Sequence, residues 1–227
     1  MPTFFDPEAW HRLCEHDDGI GFVFRRSAEL AVELARPWLR PGQRWLDIGC
    51  GTGRVVRVLR ESGVLAIGAD FDPRMIQFAR QTVSAPMTVA RAEQLPFGDA
   101  TLDGVIATSL MGCVAEASPV FAELRRVLRP GGHAVISFTL RDSWLLKLNY
   151  VLSRRREGGY RLYTVEEVVH ALEGNGFQIL TVRFYNFVFG VGNGLLPPAS
   201  LARRLESSRS YRLARNFMVV AHRFEQL

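Results

Sequence analysis

The stretch Arg44–Arg54 reads Arg-Trp-Leu-Asp-Ile-Gly-Cys-Gly-Thr-Gly-Arg. Its residue types are suited to bringing backbone N–H groups up to a ligand. Trp45, Leu46 and Ile48 form an apolar strand pattern that runs straight into Gly49, Gly51 and Gly53. Val55, Val56 and Leu59 then recur at helical spacing, with Arg57 and Arg60 on the other side. A strand, a glycine turn and a helix N-terminus together expose amide donors to an incoming group. Glycine permits this because it tolerates positive φ and carries no Cβ. Asp47 stands two residues before the first glycine. The spacing is G-x-G-x-G rather than G-x-G-x-x-G, since Arg54 occupies the sixth place; this disfavours a nucleotide dehydrogenase. A second acid, Asp70, ends the apolar run Leu65–Asp70, about twenty residues beyond the turn, where a carboxylate is placed to accept both hydroxyls of a ribose. The bland alternative is a tight turn in an α/β domain with no ligand.

Leu46–Gly53 resembles the first motif of class I S-adenosylmethionine (SAM) dependent methyltransferases, in the branch that includes quinone-biosynthesis enzymes. The resemblance implies that Gly49, Cys50, Gly51 and Gly53 lie beside the methionine half of SAM. It implies that Asp47 holds the SAM amino group, directly or through water, and that S-adenosylhomocysteine (SAH) is the product. Phe71 is then placed to pack on the adenine, and Met75 either touches it or fills the core. Arg91–Phe97 is similar to the family segment Asp-Ala-Glu-x-Leu-Pro-Phe but departs at its first position. Arginine accepts no hydrogen bond, so adenine contact falls to the backbone of Ala92 and to Glu93. Thr108, at the end of the fourth strand, is the methionine-side contact. Relatives often carry a histidine a few residues later, but Ser109–Val114 has none, so no catalytic residue is assigned. Cys113 reads as a small buried apolar residue. Leu128–Ser137 is a further family match, in which His133 reads as structural. In the family an N-terminal segment lies over the SAM site and often supplies an arginine to the SAM carboxylate. Arg25 or Arg26 fills that place, or is an ordinary exposed arginine.

Elements that hold these residues follow from periodicity and caps. The resemblance implies an α/β, Rossmann-like fold: a seven-stranded, mostly parallel sheet with an antiparallel last strand, helices on both faces and an N-terminal helical cap. Residues 1–43 read as that cap and 44–227 as the SAM-binding domain, with insertions near 139–163 and 185–217. Within the cap, Asp6–Glu15 reads as a helix with Asp6 as N-cap and Pro7 at the first position. Gly19 and Gly21 break the pattern, and a second helix runs from Arg25 to Leu39. Strands are expected at 65–70, 87–90, 102–108, 133–138, 177–184 and 218–224. Asp72 should cap the helix 73–83, and Thr164-Val-Glu-Glu167 is a capping box. The aromatic and apolar residues of 1–24 and 185–196 are expected to cover the open end of the sheet together.

The chain has 227 residues, 48% of them hydrophobic, which suits one domain with a sizeable core. No run reaches the ~18 apolar residues of a membrane helix, and the N-terminus lacks a basic region followed by an apolar one. Cys14, Cys50 and Cys113 are widely spaced, which suggests neither a disulfide framework nor a metal site. A cytoplasmic setting is the simplest inference. Net charge is +5, and Lys147 is the only lysine. Arg154-Arg155-Arg156 and Arg203-Arg204 are either solvated surface or a draw for an anionic substrate or a membrane surface.

Taken together, these features point to methyl transfer from SAM to a small-molecule or lipid-like acceptor, with oxygen as the leading acceptor atom. A nucleic-acid methyltransferase is the alternative suggested by charge, but Thr108-Ser-Leu-Met111 is not the Asn/Asp-Pro-Pro-Tyr/Phe of base-amine enzymes. A SAM-binding module without catalysis is the third reading.

Overall fold

The computed structural model describes residues 6–15, 19–153, 160–187 and 211–224. Seven strands form one sheet: β1 Arg44–Ile48, β2 Leu65–Asp70, β3 Met87–Val89, β4 Leu102–Ala107, β5 Leu128–Thr139, β6 Phe177–Tyr185 and β7 Asn216–Arg223. Their order is β3-β2-β1-β4-β5-β7-β6. The first five are parallel to their neighbours, and β7 runs antiparallel to both β5 and β6. The chain steps outward from β1 to β3, then returns to β4 on the other side of β1. That reversal opens a crevice beyond the carboxyl ends of β1 and β4, where ligands of open α/β sheets bind.

Alternation along the strands builds two cores. Leu46, Val105, Ile136 and Val219 face one side, with α5 (Ala117–Val127) and α7 (Val165–Gly174) packed over them. Trp45, Ile106, Val135 and Val220 face the other, beneath α2 (Gly19–Ala35), α3 (Arg54–Glu61) and α4 (Pro73–Thr82). A period of two puts neighbouring residues on opposite faces, so a sheet covered on both sides needs apolar residues in continuous runs. Caps behave as their residue types require. Asp6 Oδ2 accepts from Ala9 N at 2.9 Å ahead of α1 (Pro7–Glu15). Asp72 accepts from Arg74 N, and Thr164 and Glu167 form a reciprocal capping box.

Two boundaries shift by five residues or more from the sequence reading. Gly19 and Gly21 do not break the chain; both lie inside α2, which starts six residues before Arg25. Burial of Ala28, Leu30, Ala31, Val32 and Ala35 against the sheet outweighs the ~1 kcal/mol that each glycine costs a helix. Strand β5 begins at Leu128 rather than His133, because the chain passes from α5 directly into the sheet; Gly131, at φ 73°, lies within the strand. Of the 185–217 connection, residues 188–210 lie outside the described residues, as does most of the aromatic cover proposed there.

His133 stacks on Trp38 with ring centroids 4.4 Å apart. Burial, with the nearby charges of His222 and Arg129, pushes its imidazole from 6.5 down to about 4. The unfolded chain therefore takes up this proton first as pH falls, so the stability contributed by neutral His133 is present above pH 6.5 and is lost between pH 6.5 and about 4. His133→Phe, which keeps an aromatic ring against Trp38, should flatten the fall in melting temperature over that window. An unchanged pH profile would show that His133 does not carry it.

Candidate functional site

Strand β1 delivers its glycine turn to the switch point, and β2 stitches the turn in place. Gly49 N and Cys50 N both donate to Ala69 O, at 2.8 and 3.0 Å. Gly53 caps α3 at φ 86°, and a Cβ there would stand 3.0 Å from Val83 Cγ2. Gly51, at φ 50°, has the Trp10 indole nitrogen 3.2 Å from where its Cβ would be. Gly51 and Gly53 thus approach other groups more closely than a side chain would comfortably allow. Cys50 is buried beneath the turn.

Asp70 ends β2 and braces the same turn. Its Oδ2 accepts from Gly51 N and its Oδ1 from Asp72 N, each at 2.9 Å. Burial raises its pKa, and those two amide hydrogen bonds oppose the rise. Each carboxylate oxygen keeps a further lone pair for another donor. Asp47, on β1 beside it, is 1% exposed, and its Oδ1 has no hydrogen-bond partner. Burial first, then the charge of Asp70, holds the Asp47 carboxyl well above the usual carboxylate range. Two buried acids on adjoining strands, one with an unpartnered oxygen, form a site that favours a bound cation with N–H donors.

The remaining candidates surround this pair. Phe71 is half exposed at 49%, whereas Met75 is buried in the face of α4. Ala92 is buried, and the Glu93 carboxylate pairs with Arg91 at 3.3 Å. Thr108 is part-exposed just beyond β4; Ser109 follows at φ 58°, its N–H held by Ser137 Oγ at 2.8 Å. Arg25 lies 3.9 Å from Glu29, and Arg26 3.2 Å from Glu33, both along α2. Cys113, read as buried, is exposed. The turn after β4 leaves it at the surface, and the chain arriving at Tyr160–Tyr163 docks alongside. There Arg161 N donates to Gly112 O and the Tyr163 hydroxyl to Met111 O, each at 2.9 Å.

Trp10 and Phe24 fall in the segment expected to cover the site, but His11, the Arg54 latch, Arg126 and Glu123 escape a sequence reading. Helix α1 lies over the glycine turn: Trp10 packs edge-on to Phe24 at 4.6 Å, and His11 Nδ1 is 3.4 Å from Thr52 Oγ1. Arg54, whose position in the glycine spacing was visible, donates to Cys14 O at 2.9 Å and pairs with Glu15, latching α1 to α3. Arg126 clamps the 91–97 loop, donating to Leu95 O at 3.1 Å, Phe97 O at 2.8 Å and Asp99 Oδ1 at 2.7 Å. Glu123 completes this clamp, accepting from Arg126 and from Leu95 N. Arg126→Ala should destabilise the fold by roughly 1–3 kcal/mol and open the loop to amide exchange between Ala92 and Phe97. Native-like exchange protection in a folded variant would contradict that role.

The strand order, with the glycine turn and the two acids at the switch point, is that of a Rossmann-like α/β domain similar to those of class I SAM-dependent methyltransferases. In particular, residues 46–136 match the family described as a methyltransferase domain. An uncharacterised methyltransferase of Mycobacterium bovis is 33% identical over 144 residues, 56% of this chain and 58% of that one. The demethylmenaquinone methyltransferase of Tropheryma whipplei is 29% identical over 163 residues, 60% and 67% of the two chains. The chain thus spans about six-tenths of the length of the first of these relatives. The fold is shared with magnesium protoporphyrin IX methyltransferase of Synechocystis PCC 6803, solved with bound SAH, at TM-score 0.70 and 18% identity over 95% and 93% of the two chains.

Proposed function

We propose that this protein transfers a methyl group from SAM to a small-molecule or lipid-like acceptor, with oxygen the first acceptor atom to test. The observation that carries the reading is the unpartnered, buried Asp47 Oδ1 beside Asp70. In this reading Asp47 takes the SAM ammonium, which gives its unpartnered Oδ1 a donor and favours the ionised carboxylate. Asp70, already braced by Gly51 N and Asp72 N, accepts the ribose hydroxyls. Phe71, Met75 and the Ala92–Glu93 backbone flank the adenine. Gly49, Cys50, Gly51, Gly53 and Thr108 line the methionine half, with Arg25 within the cap for the carboxylate. When bound, SAM supplies a methyl group on a sulfonium, already activated for displacement. Transfer of that methyl to the acceptor would leave SAH as the product. Positioning the acceptor in line supplies much of the rate, and a base is needed only where the acceptor must lose a proton.

The names of the relatives support a small-molecule acceptor. So do the aromatic residues near the site: Trp10 and Phe24 on the cap and Tyr160 beside Gly112. Residues 1–43 act in this reading as a cap over a SAM-binding domain spanning 44–227.

Calorimetry tests the cofactor half of the proposal. Asp70→Ala should weaken SAM binding about ten- to a hundredfold, from loss of roughly 1.5–3 kcal/mol of hydrogen bonding to a charged group. Unchanged affinity in a folded variant would overturn the ribose assignment. Incubating the protein with methyl-labelled SAM and small-molecule and lipid extracts, then identifying the labelled product by mass spectrometry, tests the transfer. Labelling confined to RNA or DNA would replace the acceptor class.

A further inference from the structure

Helix α6, Trp144–Ser153, follows β5 and is apolar at seven of its ten positions, Trp-Leu-Leu-Lys-Leu-Asn-Tyr-Val-Leu-Ser. Leu145 and Leu146 are 3% and 4% exposed and hold the helix to the protein. Trp144 and Leu148 do the opposite, at 62% and 49% exposed. Residues four apart share a helix face, so these two form one outward apolar stripe, with exposed Lys147 beside them. Among the described residues, Trp144 is the most exposed of the large hydrophobic side chains. The helix itself has a neighbour: α6 packs against the short 3-10 turn Tyr211–Leu213, whose Tyr211 is 38% exposed and whose Arg212 is exposed.

The charge around this patch selects its occupant. Lys147 lies beside the stripe on α6, and exposed Arg212 stands on the turn packed against that helix. Asp142 lies near Arg212, and Arg141 is already paired with Glu167 at 2.6 Å. A second copy would set a basic rim against the same basic rim, on chains that each carry +5. An anionic bilayer brings the complementary charge. It also accepts an indole and a leucine at the headgroup level, where amphipathic aromatic residues settle. At ten residues α6 is too short to cross a bilayer, and no described helix is long and apolar enough to do so.

We infer that the outward face of α6, with the adjoining Tyr211–Arg212 turn, seats on the surface of an anionic phospholipid bilayer. The helix leaves the carboxyl end of β5, the same end of the parallel strands at which Asp47 and Asp70 lie. Docking would therefore bring the crevice close to the membrane, and a lipid-like acceptor would reach it with a short path through water. That consequence rests on the methyl-transfer reading; the docking itself does not.

Flotation of the full chain with phosphatidylcholine vesicles, with and without phosphatidylglycerol, tests the inference in the absence of SAM. The protein should float with the anionic vesicles and much less with the neutral ones, and added salt should weaken the association. Trp144→Ser/Leu148→Ser should reduce binding tenfold or more. Lys147→Glu, which leaves the apolar stripe intact, should reduce it roughly tenfold. Melting temperature and calorimetric SAM affinity should stay as in the parent chain for all variants, so that failure of docking and failure of the cofactor reading are separate results. Absence of binding to anionic vesicles overturns the inference, as does binding that the substitutions leave unchanged. A dimer that the double substitution converts to monomer, with no vesicle binding, would assign the patch to a second copy instead.

Discussion

Gly51→Val is expected to abolish SAM binding in calorimetry, with affinity lower by more than about a hundredfold, while circular dichroism still reports a folded sheet. Three effects combine at one position. Gly51 sits at φ 50°, where a β-branched residue is a genuine outlier, and left-handed backbone costs an ordinary L-residue about 1–2 kcal/mol. Its new Cβ would stand 3.2 Å from the Trp10 indole nitrogen, so α1 must shift off the turn. Its N–H is also the donor that holds Asp70 Oδ2 at 2.9 Å, so backbone distortion displaces the acid assigned to the ribose. Gly51→Ala separates these effects, because it carries the backbone cost with a smaller clash and should keep measurable affinity. Normal SAM binding by the valine variant would mean that the turn does not approach the cofactor.

Asp47→Asn is expected to act in opposite directions on the two states of the protein. Without ligand, the buried carboxylate has an oxygen with no partner and the charge of Asp70 nearby. Removing the ionisable group, whose charged form folding disfavours, should raise stability by about 1 kcal/mol or more, about 2–4 °C in melting temperature for a chain of this size. The sign follows from linkage. The pKa of Asp47 is raised on folding, so the unfolded chain gives up this proton first as pH rises. Its contribution to stability is present below the ordinary carboxylate pKa of 3.8 and is lost as pH climbs through the raised folded value. The gain from asparagine should therefore be largest at neutral to alkaline pH. SAM affinity should fall about ten- to a hundredfold, since an ammonium then meets an amide rather than a carboxylate. In the parent chain, uptake of SAM should release a proton from Asp47, visible as a calorimetric enthalpy that depends on the ionisation heat of the buffer. A parent enthalpy that does not vary with buffer, together with full affinity in Asp47→Asn, would remove Asp47 from the site.

The sequence by itself determined the features that short-range chemistry specifies. A turn needing positive φ calls for glycine, and Gly49, Gly51 and Gly53 all adopt it. Caps need an acceptor at the first turn, and Asp6, Asp72 and Thr164 supply it. Apolar runs with a crossover helix between them suit a buried parallel sheet, and they put Asp47 and Asp70 near the ends of adjacent strands, Asp47 level with Gly68. Tertiary structure decided what depends on residues far apart in the chain. It laid Trp10 over Gly51 and latched Arg54 to Glu15. It closed the Arg126 clamp on the loop before β4, carried α2 through Gly19 and Gly21, and turned Cys113 outward. It also left Asp47 Oδ1 without a partner. Each of these outcomes is settled by burial and by side-chain reach between distant segments. Local spacing encodes backbone conformation and the face a residue occupies, but not which distant group comes to stand opposite it.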